Sequence, residues 1–388
     1  MKNSKPSFLD VYCGCGGFSL GFALAGFKPV AAIDKDRTAC STHRMNFTRR
    51  GCHTLVRDLN NYGPKRLHKY LRRHRITTRF DVIIGGPPCQ GWSVVGRGKM
   101  KSLPDGGERL KNDPRNRLYR RFVNYVRHFR PKCFVMENVP GMLKHDGANV
   151  AEVVKRELER CGYRVGYKVI NAAEHGVPQV RRRLFFVGFR DGLQIDACDF
   201  FDSLVKHAGP SVGDAIRDLP RIGHAQRATP IKYKAKPGQP NWFVRFARAR
   251  SNGKLADHIT RSHNEQDLKA FAYMKQGMTY SELPKRFKRY SDETFKDKYK
   301  KLCWDRQAWT LTAHLRADCY THIHPSQRRT ISVREAARLQ SFPDWFKLDG
   351  SLGGKFQLIG NAVPPLLAKQ IAHAVKKRIS KCRTKRRR

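Results

Sequence analysis

The chain has 388 residues, 40% of them apolar, enough for about two domains and a sizeable core. No run of about 18 apolar residues and no signal peptide occurs, so the chain is expected neither to span a membrane nor to be secreted. Lys and Arg number 78 against 32 Asp and Glu, a net charge of +46, which argues for a polyanionic partner.

The first half alternates short apolar runs with helical patterns. Residues 7–12 read as a strand, followed by a glycine turn and a helix over 18–25. Residues 29–33 read as a second strand ending in Asp34, and 80–84 as another, Val82, Ile83 and Ile84 having the look of a strand buried on both faces. The spacing predicts a helix over 118–129 and a strand over 132–136 ending in Glu137-Asn138. It further predicts a helix over 150–161 and strands over 164–171 and 183–189. Such alternation implies an α/β fold, a doubly wound and mostly parallel sheet.

From about residue 191 to 325 the pattern gives way to a polar, basic stretch dotted with isolated aromatics, among them Trp242, Phe243 and Tyr273. It reads as a second, loop-rich domain. Helical order returns over 332–340, where Ser332 and Glu335 offer a capping box. A closing helix is expected over 364–376, then a frayed basic tail over 377–388. The charge is spread along the chain. Residues 1–80 hold 16 basic and 4 acidic side chains, and 221–300 hold 19 and 7, each a net +12.

The 11 cysteines include no Cys-x-x-Cys pair, and Cys13-Gly14-Cys15 is too tight for zinc-finger spacing, so reduced thiols and no metal site are expected. One cysteine stands apart. Gly85 and Gly86 release the backbone after a strand, Pro87 and Pro88 stiffen it, and Cys89 follows. A lone cysteine is usually a small buried hydrophobe. A thiol on a rigid turn at a strand's carboxyl end, where open α/β sheets bind ligands, is a nucleophile candidate. The segment 94–116 after it is rich in Gly and charge and could act as a lid.

The glycine turn Cys13-Gly14-Cys15-Gly16-Gly17 lets backbone approach a ligand closely, but it lacks the dinucleotide spacing, because Ser19 stands where a third glycine would be needed. Asp34 lies where an acidic residue would accept ribose hydroxyls; the alternative is a cap for a helix starting at Lys35. Asp58 could contact a base amino group or be a surface turn. Glu137 opens onto the same sheet edge as Cys89, and a partly desolvated carboxyl beside a thiol tends to hold its proton to higher pH; a strand-end cap is the alternative. Strand-like alternation places Arg181 and Arg183 on one face and Arg182 on the other. Two guanidiniums on one face suit phosphate or base-oxygen recognition, or form a solvated basic face. Asn361, in a glycine turn feeding the last helix, is a ligand contact or a turn residue.

Together these segments resemble the DNA (cytosine-5) methyltransferase family, of the bacterial restriction-modification type. The likeness lies in order as well as content: the Gly16-Gly17 turn, Pro87-Pro88-Cys89-Gln90, Glu137-Asn138-Val139, Gln179 through Arg183, Arg334 through Pro343, and Gly360 through Pro364. It covers residues 7–373. The resemblance implies a Rossmann-like class I S-adenosylmethionine-dependent methyltransferase sheet with a second, smaller and irregular target recognition domain. It divides the chain into a catalytic and cofactor-binding part over 1–190, a target recognition domain over 191–325, a return to the catalytic domain over 326–376, and the tail.

The resemblance also implies roles. Cys89 as thiolate would attack C6 of a flipped-out cytosine. Glu137 would hydrogen-bond the base and protonate N3, and Arg183, with Arg181, would hold the base oxygen. S-adenosyl-L-methionine would lie against Tyr12, Gly14, Gly16 and Gly17, with its ribose on Asp34 and its adenine amino group on Asp58. Pro88, Leu118, Asn361 and Val363 would complete that pocket. The family more often has Glu where Asp34 stands, and smaller or aliphatic residues at Cys13 and Cys15. Neither change removes a required group.

The partner so implied is double-stranded DNA, bound by a monomer without a membrane, with a cognate restriction endonuclease acting on the same site as a possible companion. The compartment would be cytoplasmic and nucleoid-associated, or nuclear in a eukaryote, where the Arg-rich tail would serve as an address. Three alternatives differ in substrate or class. Transfer RNA cytosine methyltransferases share the motifs but typically carry a Cys-Phe-Thr signature that this chain lacks. A zinc deaminase would need a second cysteine where Trp92 stands. A non-catalytic nucleic-acid binder would not need Cys89, Glu137 and Arg183 together.

Overall fold

The computed structural model describes residues 5–88, 118–143, 149–193, 195–233, 240–289 and 298–385. Cys89 and the segment 94–116 lie outside the described residues. Two units separate by their internal packing: residues 1–171, 182–205 and 367–388 form the first, and residues 172–181 and 206–366 the second. Residues 326–366 cluster with the second unit.

The first unit is built on one seven-stranded sheet in the order β3-β2-β1-β4-β5-β7-β6. Its strands are β1 Ser7–Val11, β2 Lys28–Asp34, β3 His53–Val56, β4 Val82–Gly85, β5 Cys133–Asn138, β6 Tyr163–Asn171 and β7 Arg182–Arg190. The first five are parallel, and β7 lies antiparallel between β5 and β6. Strand order reverses between β1 and β4, so the crevice at their carboxyl ends is a switch point of the kind that binds ligands.

Helices cover the sheet: α1 Gly17–Leu24, α2 Arg37–Phe47, α3 Pro64–Arg73, α4 Leu118–Phe129 and α5 Val150–Glu159. Leu67 and Leu71 of α3, Phe122 and Val126 of α4, and Val154 and Leu158 of α5 share one buried cluster with Leu9, Ile83 and Phe134 of the strands. At the other end of the sequence, the closing helix Pro365–Lys385 packs on α1 so closely that a Cβ at Gly21 would lie 2.3 Å from Ala368 Cβ. This helix runs past residue 376 to Lys385, so residues 377–385 of the basic stretch continue it.

In the first unit, β3 and α3 are not expected from the sequence, and α2 only as the alternative to a ligand role for Asp34. β3 has four residues and buries two of them, and α3 buries Leu67 and Leu71 alone. Neither offers a long apolar period.

The second unit is largely irregular. Among the described residues its strand pair joins Ile231–Lys232 to Lys254–Leu255. A cluster of Phe271, Tyr280, Tyr299 and Ile323 forms one part of its core. The expected capping box is present: Ser332 Oγ accepts from Glu335 N, and the Glu335 carboxylate accepts from Ser332 N at 2.6 Å. The helix it opens, Val333–Leu339, is buried on all sides, including Arg334, Glu335 and Arg338. Those charges are matched. Arg329 makes two 2.7 Å bonds to Glu335, and Arg338 bonds Asp344 at 2.9 and 2.7 Å.

Candidate active site

Strand register assembles the site. Val11 pairs with Ile33 of β2 and with Gly85 of β4, and Gly85 pairs with Met136 of β5. The residues that follow in each strand, Tyr12, Asp34, Gly86 and Glu137, thus emerge together at the carboxyl edge. On β2's other side Asp34 pairs with Val56, which puts Asp58 just beyond the same edge.

The glycine turn hangs from this row. Tyr12, Gly14 and Gly16 have φ of 66°, 52° and 98°, and Gly17 opens α1. A Cβ at Gly16 would lie 2.6 Å from the Phe47 ring and 2.9 Å from His43, so only glycine fits. A Cβ at Gly14 would meet nothing within 4 Å; it would project into open space. Gly14 N donates to Asp34 Oδ2 at 2.9 Å, and Asp36 N to Asp34 Oδ1 at 3.0 Å. A carboxylate has about four acceptor sites, so Asp34 keeps room for two more donors. Burial raises its pKa. The cap of α2 is Asp36, which accepts from Ala39 N at 2.9 Å, and not Asp34. Tyr12 donates its hydroxyl to Leu118 O at 3.1 Å, tying the turn to the first residue of α4. Asp58 is exposed, its Oδ1 accepting from Asn60 N at 2.9 Å.

Behind the turn lies a polar network that the sequence did not reveal. Ser19 Oγ donates to the buried Asp10 Oδ2 at 2.6 Å, His43 Nε2 lies 3.1 Å from Ser19 Oγ, and His43 Nδ1 lies 2.7 Å from Thr54 Oγ1. Burial pushes Asp10 up to about 7 and His43 down to about 3, so His43 is neutral. The partners come from β1, α1, α2 and β3; the signal available in sequence was an acidic residue inside an otherwise apolar strand.

Glu137 and Arg183 meet at the β5–β7 edge. Glu137 is opposite Phe185, so Arg183, two residues earlier on the same face, is its diagonal neighbour. Arg183 Nε is 3.0 Å from Glu137 Oε1, with the two side chains 16% and 14% exposed. Glu137 is thus a largely shielded carboxyl held by the Arg183 guanidinium. A Cβ at Gly86 would be 3.3 Å from Glu137 Oε2, which places the carboxylate against the backbone three residues before Cys89. Asn138 Nδ2 holds that turn through Pro87 O at 3.3 Å. Pro88, half-buried, is the last described residue before the thiol.

Arg181 differs from the expectation. β7 begins at Arg182, so the alternation does not reach back to Arg181, which belongs to the second unit. It is 1% exposed and donates to Leu311 O at 2.7 Å and Gly360 O at 3.0 Å, carbonyls of the same unit. Gln179 similarly bonds Leu339 O and Leu311 N. Asn361, exposed at the end of the helix Leu352–Asn361, and the buried Val363 are also residues of the second unit.

The family model described as C-5 cytosine-specific DNA methylase matches residues 7–377. The chain is 33% identical to the type II methyltransferase M1.HphI of Haemophilus parahaemolyticus, covering 96% of this chain and 87% of that one. It is 33% identical to the type II methyltransferase M.XorII of Xanthomonas oryzae, covering 97% and 86%. A solved structure of a candidate DNA modification methyltransferase encoded in an E. coli prophage superposes with a TM-score of 0.77 at 26% identity, covering 97% of this chain and all of that one. The chain belongs to the C-5 cytosine-specific DNA methylase family.

Proposed function

We propose that this enzyme methylates C5 of a flipped-out cytosine at a specific duplex DNA site, the activity of a DNA (cytosine-5-)-methyltransferase (EC 2.1.1.37). The observation that carries the residue assignment is the meeting of Glu137, Arg183 and the Gly86-Pro87-Pro88 turn at one sheet edge. Cys89, next in the chain, attacks cytosine C6 as thiolate. Glu137 delivers a proton to N3, so the ring need not carry the electron pair as an anion. Arg183 holds Glu137 in place and presents its remaining donors to the base oxygen. With the C5–C6 double bond broken, C5 becomes the nucleophile and takes a methyl group. Loss of the C5 proton restores that bond and expels Cys89 as thiolate, and N3 returns its proton to Glu137.

S-adenosyl-L-methionine supplies the methyl group when bound. The residues fit it: open space over Gly14, the spare acceptor capacity of Asp34 for two ribose hydroxyls, and the exposed Asp58 carboxylate for the adenine amino group. Tyr12, Gly16, Gly17, Pro88 and Leu118 shape the cleft of the first unit. Arg181, bonded to Leu311 O and Gly360 O, is a positioning residue within the second unit and not a contact to the base.

The second unit reads the DNA sequence with its exposed polar, basic and aromatic side chains. That the named relatives are type II methyltransferases supports a restriction-modification setting, and our reading adds a monomeric, cytoplasmic enzyme with a companion endonuclease. Among the described residues no helix is long and apolar enough to cross a membrane.

The test is covalent trapping. Duplex DNA carrying 5-fluorocytosine should capture the protein in the presence of the cofactor, because fluorine at C5 cannot leave as a proton would. Cys89→Ala protein should not be captured. Capture and methylation that survive Cys89→Ser would remove the nucleophile assignment.

A further inference from the structure

The net charge of +46 is spread along the sequence, but the fold concentrates part of it. Between Asp58 and Asp81 the chain holds Lys65, Arg66, Lys69, Arg72, Arg73, Arg75 and Arg79 and no acidic residue. Five of these lie on α3. At about 100° per residue, Lys65, Arg66, Lys69, Arg72 and Arg73 occupy an arc of about 120° opposite the buried Leu67 and Leu71. All five are exposed.

The neighbouring α4 repeats the pattern. Arg120, Arg121, Asn124, Arg127 and His128 share its outer arc, again without an acidic residue. The two helices are joined at His68 and His128, whose Nδ1 and Nε2 lie 3.1 Å apart. Between α4 and its neighbours is a concavity of 470 Å³ lined by Asn60, Arg120, Arg121, Asn124, Arg127 and Glu157. Glu157 is committed to Arg120 at 3.2 Å and to the Tyr119 hydroxyl at 3.1 Å. Among the described residues neither Arg121 nor Arg127 has a carboxylate partner.

A solvated helix face normally mixes signs, and α5 in the same layer does so. Lys155 lies 3.8 and 3.9 Å from Glu152 and Glu159, and Arg156 lies 3.8 Å from Glu152. α3 does the opposite. Lys65 and Lys69, and Lys69 and Arg73, are like charges at i,i+4, which destabilises a helix. Lys65 and Arg66 stand in its first turn with no acid there, against the helix dipole. Such an arrangement costs stability in the free protein and is relieved by an external polyanion. A 10-residue helix is about 15 Å long, and duplex DNA presents about nine charges over that length.

We infer that the outer face of α3 and α4 is a second DNA-binding surface, a track for the phosphate backbone of duplex outside the methylated site. The inference rests on the reading of the chain as a DNA methyltransferase. It assigns the track a sequence-independent role: holding the enzyme on DNA without taking part in the chemistry.

The test uses the full-length quadruple variant K65Q/K69Q/R72Q/R73Q, which leaves Arg121 in place because its charge reaches the Tyr12 hydroxyl. A control quadruple, K5Q/K28Q/R49Q/R164Q, removes the same charge from exposed positions scattered over the first unit. Affinity for a 30-base-pair duplex of arbitrary sequence is measured across salt concentrations. The track variant should lower the slope of log K against log salt by about three, and the control by less than one. Thermal denaturation checks folding, and trapping on 5-fluorocytosine DNA and single-turnover methylation at saturating DNA should match wild type. An unmoved slope, or equal falls for both variants, overturns the track. Failure of the wild type to trap or methylate overturns instead the function on which it rests.

Discussion

Glu137 Oε1 and Arg183 Nε lie 3.0 Å apart across the antiparallel β5–β7 pair, each largely shielded from solvent. The pair fixes the carboxyl group against Gly86, three positions before Cys89 in the chain. In the role proposed for it, Glu137 donates a proton in the transition state and takes no part in cofactor binding. Glu137→Gln should therefore slow single-turnover methyl transfer by about 10²–10⁴-fold while the Kd for S-adenosylmethionine moves by less than about threefold. Equal losses in both quantities would place Glu137 in the cofactor pocket instead.

Asp34 should show the reverse split. Its carboxylate is already positioned by Gly14 N and Asp36 N and has two acceptor sites left. Loss of charge-assisted hydrogen bonds worth about 1.5–3 kcal/mol predicts a roughly 10–150-fold weaker Kd for S-adenosylmethionine in Asp34→Ala. Turnover at saturating cofactor should fall far less. Calorimetric titration reads the first quantity, and unchanged affinity would release Asp34 from the ribose role.

The parts of this architecture that were legible in sequence are those with a local signature. The strands β1, β2, β4 and β5 are short apolar runs ended by Asp34, Gly85-Gly86 and Glu137-Asn138, and α4 has an unbroken amphipathic period. Ser332 and Glu335 sit three residues apart and cap each other as expected. What escaped has long-range causes. Arg181 and Arg183 look equivalent as neighbours in a strand, but Arg181 is drawn to carbonyls 130 and 179 residues away. The Asp10–Ser19–His43–Thr54 network draws on four elements, one of which, β3, carried no clear period. The Arg329–Glu335 and Arg338–Asp344 pairs likewise reveal themselves only once the surrounding helix is known to be buried on every side.

Gly14 and Gly16 separate two uses of glycine within one turn. Gly16→Ala combines an unfavourable φ of 98° with a Cβ 2.6 Å from Phe47. It should destabilise by about 2 kcal/mol or more, since left-handed backbone alone costs about 1–2 kcal/mol and the ring must also move. Gly14→Ala has no such collision; its penalty is the φ of 52° alone, about 1 kcal/mol. The added methyl group would instead enter the open space proposed for the cofactor. Denaturation midpoints and cofactor titration together check this: Gly16→Ala should lose more stability, and Gly14→Ala more affinity than its stability loss explains. Two variants that are indistinguishable in both measurements would refute the distinction.

Asp10 and Glu335 predict opposite responses to pH. Burial raises Asp10 from 3.8 to about 7, so the folded state holds a proton that the unfolded chain releases. Its contribution is present below about pH 4 and is lost as pH rises through about 7. Asp10→Asn retains an oxygen to accept from Ser19 and has nothing to ionise. Its stability relative to wild type should improve between pH 5 and 8, by at most about 4 kcal/mol for a shift of this size. For Glu335, burial alone would raise the pKa, but the two bonds from Arg329 outweigh it and hold the carboxyl well below the usual range. Its contribution is present above the ordinary glutamate pKa and is lost as pH falls. Glu335→Gln, which leaves the Arg329 charge buried without its counter-ion, should therefore be most costly near neutrality and converge on wild type only in strong acid. Urea denaturation of both variants at pH 5 and 8 separates the two groups. An Asp10→Asn difference that is flat with pH would mean that Asp10 is ionised in the folded protein.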